Sequence, residues 1–143
     1  MRLLFIIPFL LSACASIESG APARGDAQNS LAVRKLETGS CGLFVWKADA
    51  SKDFILFASK VDMAVLQNGV ETPLTASGSI SDVRNLSFAD PQDRPVKLQL
   101  ADEEKIEGGA RYKSGSLVML TDEGWEQYTS VVGLYACQLL KAT

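Results

Sequence analysis

The feature that most constrains the fold of this chain is a series of short apolar runs after Gly39, separated by turn-forming residues. The runs are rich in Val, Ile, Leu, Phe, Tyr and Trp, and clusters of Gly, Asn, Asp and Pro lie between them. Such runs are typical of β-strands, and no stretch shows a long helical period with caps. The pattern predicts strands at residues 41–47, 54–59, 61–67, 70–75, 77–81, 85–88, 96–100, 110–112, 116–121, 128–132 and 134–139.

Local sequence patterns indicate how these strands are arranged. Asn68-Gly69 lies between two apolar runs, and an Asn-Gly pair tolerates the two positive-φ positions of a type I′ turn, which predicts a tight hairpin. Pro73 has no amide proton for the ladder, so its strand is expected at an edge or bulged. Val96 and Leu98 alternate with polar residues, as in a strand with one wet face. The whole pattern predicts an all-β fold, a small antiparallel β-barrel or sandwich, after a flexible N-terminal tether.

Residues 1–13 have the pattern of a secretory signal peptide. Arg2 gives the start a positive charge, residues 3–11 form an apolar run, and small residues precede Cys14. The apolar run is about half the length of roughly 20 residues that a membrane-spanning helix needs. A permanent transmembrane anchor is therefore not expected.

The Leu-Ser-Ala-Cys sequence at residues 11–14 resembles the lipobox of bacterial lipoprotein precursors. The resemblance implies removal of residues 1–13 and thioether lipidation of Cys14, with acyl chains such as palmitate that hold the protein to a membrane. The alternative is a fortuitous cysteine after a conventional signal. Ala15 stands where some lipoproteins carry the aspartate that retains them at the inner membrane. The resemblance thus implies a lipid-anchored cell-envelope protein at the outer membrane, facing the periplasm.

The rest of the chain divides into a tether and one domain. Residues 14–38 are predicted to be the lipidated cysteine and a flexible tether, because they are small and polar with few bulky apolar groups. Residues 39–143 have the size of one β-domain. Cys41 and Cys137 lie near its two ends, and in an oxidising compartment we expect them to form a disulfide. Two separate buried thiols are the alternative.

The composition excludes most hydrolase designs, although a Ser-Lys arrangement or a carboxylate pair stays open. The chain has no histidine, so the commonest general base and the usual zinc ligand are missing. A net charge of -3 without a dense basic patch argues against nucleic acid. The acidic residues at 102–104 and 122–123 do not follow calcium-loop spacing, and Gly108-Gly109 is not followed by a phosphate-loop motif. We therefore expect a non-enzymatic protein with no cofactor and no metal site.

A second resemblance rests on Gly109-Ala110-Arg111-Tyr112 and on the later residues 122–124. These stretches resemble two loops of the membrane-bound inhibitors of c-type lysozyme, which are small lipid-anchored eight-stranded barrels. The resemblance implies a binding loop with Gly109, Arg111 and Tyr112. Gly108 replaces the serine of the first loop, and acids replace the lysine of the second, so we expect at best poor inhibition of c-type lysozyme.

Three functions remain open from the sequence. The leading hypothesis is a protein that acts by binding another envelope component, an unknown protein or glycan. The alternatives are inhibition of a lysozyme-like muramidase and a small barrel that binds lipid or glycan. Trp46, Trp125 and Tyr128 are candidate contact residues, although aromatic residues in strands are more often packing groups. The segments SCGLFVW and GLYACQ are similar to those of small proteobacterial envelope lipoproteins, a likeness that implies no function.

Overall fold

The computed structural model describes residues 28–78 and 82–138. The predicted signal peptide and Cys14 lie outside the described residues. Nine strands form one sheet: β1 Cys41–Lys47, β2 Phe54–Ser59, β3 Met63–Gln67, β4 Val70–Pro73, β5 Thr75–Ala76, β6 Asn85–Ala89, β7 Pro95–Ile106, β8 Gly109–Leu120 and β9 Glu126–Cys137.

The sheet is an antiparallel meander that curls into a nearly closed barrel. Its strand order is β4-β3-β2-β1-β9-β8-β7-β6-β5, and every pair is antiparallel. The two ends of this order, β4 and β5, are consecutive in the chain and are joined through Leu74. The Leu74 amide donates to the Met63 carbonyl at 2.9 Å, so one bent segment pairs first with β3 and then with β6. The predicted all-β fold is confirmed, and it is a barrel.

The local turn predictions are confirmed in the backbone. Asn68 and Gly69 both have positive φ, 51° and 74°, as a type I′ turn requires. Pro73 ends β4, which pairs only with β3 in the sheet, so its missing amide proton costs no ladder hydrogen bond. Gly108 has φ 78° in the turn between β7 and β8.

The last three strands are longer than the sequence pattern predicts. Each has 12 residues, whereas short runs were expected within them. Residues 102–105 of β7 are exposed and polar, and Ala101 beside them is exposed too, so these residues show no alternation of buried apolar and exposed polar positions. The backbone ladder to β8 holds them instead, interrupted at Asp102, which has φ 54°.

Apolar side chains fill the middle of the barrel. Residues on alternate strand positions point inward, as in Leu43 and Val45 of β1 or Val96, Leu98 and Leu100 of β7. The side chains that are completely or almost completely buried are Leu43, Val45, Leu56, Val65, Phe88, Val96, Leu98, Leu117 and Val131. The interior is therefore a packed core over most of its length.

Cys41 and Cys137 form the predicted disulfide. They lie directly opposite each other in the β1–β9 ladder, where the two sulfur atoms are bonded. Their Cα atoms are 3.9 Å apart, slightly closer than the usual range of about 4.4–6.8 Å. The bridge joins the first and last strands of the barrel across 96 positions of sequence.

The segment of residues 28–40 lies along the outside of the barrel, and we call it the covering segment. The Gln28 amide donates to the Gly69 carbonyl at 3.0 Å and the Leu31 amide to the Phe54 carbonyl at 2.7 Å. Leu31 is only 4% exposed. These contacts hold the part of the predicted tether that the structure describes against β2 and the β3–β4 turn.

Candidate functional site at the barrel mouth

A cavity of about 770 Å³ lies at one end of the barrel. This end, where β1 begins and β2 and β9 end, is called the barrel mouth. The covering segment forms one wall of the cavity. The residues that line it are Arg34, Lys35, Leu36, Glu37, Gly39, Ser40, Cys41, Leu43, Phe57, Ala58, Ser59, Lys60, Val61, Asp62, Val83, Leu86 and Tyr135. A second cavity, of about 210 Å³, lies at the opposite end.

The floor of the mouth cavity is apolar because strand alternation turns core residues toward it. Leu43 of β1 and Leu86 of β6 are 2% and 3% exposed and belong to the hydrophobic core. Val83 and Tyr135 are partly buried and pack against the same core. The floor is therefore the top layer of the barrel core, in which Val83 and Tyr135 are less deeply buried than Leu43 and Leu86.

Arg34 holds the covering segment in place as the wall of the cavity. Its guanidinium donates to Asp62 at 3.0 Å and to the Glu71 carboxylate, and it lies 5.9 Å from the centroid of the Phe57 ring. Burial lowers the pKa of Arg34, but the hydrogen bonds and negative charges of Glu71 and Asp62 outweigh this effect and raise it. Arg34 therefore stays charged, and two carboxylates neutralise it.

The loop between β2 and β3 forms the part of the rim next to Arg34, and Ser59 fixes its shape. The Ser59 hydroxyl accepts hydrogen bonds from the amides of Val61 and Asp62 at 3.3 and 3.1 Å. Ser59 is only 8% exposed, so the turn is anchored from inside. This anchoring positions Asp62 for its bond to Arg34 and leaves Lys60 and Val61 exposed at the rim.

Two lysines at the rim are free of ion pairs with the described residues. Lys35 on the covering segment and Lys60 on the loop between β2 and β3 are both exposed. The ion pairs among described residues involve neither of them. Glu37 is a further exposed acid on the lining. The site thus combines an apolar floor with a rim on which two exposed lysines lie outside the ion pairs of the described residues.

The residues of the predicted binding loop do not meet on one surface. Gly109, Arg111 and Tyr112 lie on β8, not in a loop. Tyr112 is 2% exposed and belongs to the core, whereas Arg111 is exposed on the outer face. Burial, with the negative charge of Glu103 adding to it, raises the pKa of Tyr112. Strand alternation therefore separates the two side chains that the resemblance to lysozyme inhibitors would place together.

The candidate aromatic residues also lie apart from the mouth. Trp46 stacks in an outer cluster, with ring centroids 6.1 Å from Phe44 and 5.7 Å from Phe54. Trp125 and Tyr128 are 74% and 68% exposed and lie near the opposite end of the barrel. None of the three lines the mouth cavity.

The sequence analysis did not identify the mouth cavity. Its floor residues, such as Leu43 and Leu86, have the pattern of ordinary core residues, and its wall comes from a segment that was predicted as tether. The only signal in the sequence was the small group of apolar residues in that segment, with Leu31 and Leu36 among them. Such a group is typical of a segment that packs on a domain.

The class of the molecule follows from its fold, because the comparisons with known proteins assign no family. In the part of the chain that the structure describes, no group of three or more His, Cys, Asp or Glu side chains is placed to hold a metal ion. That part also contains no helix long and apolar enough to cross a membrane. Compared with protein-family models, curated proteins and solved structures, the chain matches none. It is a disulfide-closed antiparallel β-barrel with a covered mouth.

Proposed function

We propose that this chain is a lipid-anchored, non-enzymatic cell-envelope protein that binds another envelope component at the barrel mouth. The observation that carries the proposal is the cavity of about 770 Å³, which lies between the covering segment and the top of the core. Small-molecule sites are clefts of about 300–1,000 Å³ with mostly apolar walls and a few polar groups. The mouth cavity has this size and this chemistry.

The mouth is a better candidate than the middle of the barrel. Val45, Leu56 and Leu98 are completely buried there, so a ligand would have to displace core side chains. Loss of core packing of that kind costs several kcal/mol. A ligand at the mouth instead covers apolar atoms that the fold leaves accessible.

The inhibitor alternative receives less support from the geometry. Tyr112 is enclosed in the core, and Asp122, one of the acids at the second resembling stretch, is bound to Arg94 at 3.0 Å. Tyr112 is therefore not available to enter the cleft of a muramidase without local rearrangement, and Asp122 would bring a negative charge to it. The binding of an envelope component at the mouth is the function that we propose.

Photo-crosslinking in the intact bacterial envelope tests this proposal. A photoreactive amino acid replaces Val61, which is 93% exposed at the rim, in the full chain. The matched control replaces Val70, which is 62% exposed at the opposite end of β3, beside the Asn68-Gly69 turn. We expect a discrete crosslinked product from position 61 and none from position 70. Equal products from both positions, or no product from position 61, would contradict the proposal.

A further inference from the structure

We infer that the ligand of the barrel mouth is a single-chain amphiphile with an anionic headgroup. Its hydrocarbon chain would cover the floor of the cavity, and its acid group would lie at the rim near Lys35 and Lys60. This inference rests on the proposed function, because it names the chemical class of the component that the mouth binds.

The floor of the cavity favours hydrocarbon over polar groups. The apolar lining residues with accessible side chains are Val61, which is 93% exposed, and the half-buried Leu36 and Val83, and these side chains present only carbon atoms. A polar group placed there without a partner costs free energy. A flexible chain of methylene groups needs no such partner and gains from the removal of apolar surface from water.

The Phe57 ring on the lining offers no open face on which a sugar could stack. Sugars bind proteins through hydrogen-bonding side chains and through the open faces of aromatic rings. Phe57 is the phenylalanine on the lining, but it is 3% exposed, with the Arg34 guanidinium 5.9 Å from its centroid and the Phe44 ring at 5.1 Å. The ring is therefore already covered by the protein.

The charges at the rim favour an anion over a cation. Arg34 forms ion pairs with Asp62 and Glu71, so both carboxylates are already engaged and do not pair with the two lysines. Lys35 and Lys60 then face Glu37 alone among the charged lining residues. Lys35 and Lys60 are therefore the cations of the lining that have no ion pair among the described residues. Carboxylate and phosphate groups both satisfy these lysines as point charges.

Two kinds of envelope molecule combine a single hydrocarbon chain with an anionic headgroup. A free fatty acid carries one chain and a carboxylate, and an anionic lysophospholipid carries one chain and a phosphate. The two differ in headgroup size, so parallel titrations with dodecanoate and with a dodecanoyl lysophosphatidylglycerol distinguish them. Submillimolar binding of either compound at the mouth supports the inference, and the tighter of the two identifies the source.

Titration calorimetry on residues 15–143 provides the first test. This piece contains all nine strands, the disulfide and the covering segment, and circular dichroism establishes that it is folded. Across octanoate, decanoate and dodecanoate, burial of each added methylene should tighten binding by up to about four-fold. Dodecyltrimethylammonium, which has the same chain and the opposite charge, should bind at least about ten-fold more weakly than dodecanoate.

Two pairs of variants locate the site. Lys35→Glu combined with Lys60→Glu should abolish the preference for the anion, whereas Lys97→Glu, on the exposed face of β7, should not change it. Val83→Trp should fill the floor and flatten the dependence on chain length, whereas Val70→Trp at the opposite end should not. Effects of equal size in test and control variants would overturn the inference.

The inference also fails if neither anionic compound binds below about 1 mM, or if the cationic amphiphile binds as tightly as dodecanoate. Such a result does not affect the crosslinking experiment, which tests the proposed function separately. A product from position 61 together with no amphiphile binding would show that the mouth binds a different envelope component. Absence of that product would overturn the proposed function itself.

Discussion

Asp90 is the charged side chain on which the loop between β6 and β7 depends. Its side chain is 1% exposed, yet its carboxylate accepts hydrogen bonds from the Gln92 amide at 2.9 Å and from the Arg94 amide and guanidinium at 2.8 Å each. Burial raises the pKa of Asp90, but these hydrogen bonds and the charge of Arg94 outweigh it and lower the pKa below its usual range. The buried charge is therefore compensated within its own loop.

Replacing Asp90 should destabilise the barrel in a pH-dependent manner. We expect Asp90→Asn to lower the free energy of unfolding by about 1–3 kcal/mol at pH 7, because a neutral amide cannot replace a carboxylate that accepts three hydrogen bonds. Since folding lowers the pKa, the stabilisation is complete above about pH 4 and is lost as the pH falls through the pKa of the folded carboxyl. Urea unfolding at several pH values measures the difference.

The control for this prediction is Asp93→Asn in the same loop. Asp93 is exposed and has φ 62°, a conformation that asparagine tolerates well, so little change is expected. If Asp90→Asn had no larger effect than Asp93→Asn at pH 7, the role assigned to Asp90 would be wrong.

Gly108 and Gly109, at the turn between β7 and β8, are glycines for two different structural reasons. Gly108 allows the sharp turn between β7 and β8 with its positive φ. Gly109 has a different reason to be glycine: a Cβ atom built there would lie 1.8 Å from the Tyr135 carbonyl oxygen of β9. This close approach of two strands is a tertiary contact, which no local pattern reveals.

At the scale of elements, the pairing of β1 with β9 closes the barrel, and the disulfide reinforces it. A Cys41→Ser, Cys137→Ser double variant should lose about 2–4 kcal/mol of stability, because a bridge across 96 positions removes much conformational entropy from the unfolded chain. Urea unfolding measures the loss. Dithiothreitol should destabilise the parent protein by a similar amount and leave the double variant unchanged; a parent protein insensitive to reductant would contradict this account.

The elements show which parts of the fold the sequence could predict. β1 and β2 match their predicted bounds because their apolar residues and flanking turns are both distinct. β8 and β9 were predicted as two shorter pieces each, because Gly115 and Gly133 interrupt them, and β7 was predicted to end at residue 100, before the polar stretch that includes Asp102. Neighbouring strands hold these stretches in the sheet. For the same reason the mouth cavity was not predictable, since the covering segment and the core meet only in three dimensions.

At the scale of the whole molecule, the anchor predicted from the sequence is open to direct measurement. We expect mass spectrometry of the protein isolated from a bacterial envelope to find Cys14 as an acylated first residue, because residues 11–14 match the lipobox pattern. Cys14→Ser should abolish the lipid and release the protein from membranes. An unmodified mature amino terminus elsewhere in the parent protein would refute the lipoprotein prediction.

The order of strands has a consequence for synthesis. Every ladder of the sheet joins strands that are consecutive in the chain, except the ladder between β1 and β9, so most hairpins can form locally while one contact has high contact order. Ribosomes add about 5–20 residues per second, so the 96 positions from Cys41 to Cys137 take roughly 5–20 s. During that time one edge of β1 is a nascent strand without its partner, which is the period when the chain is most exposed to aggregation.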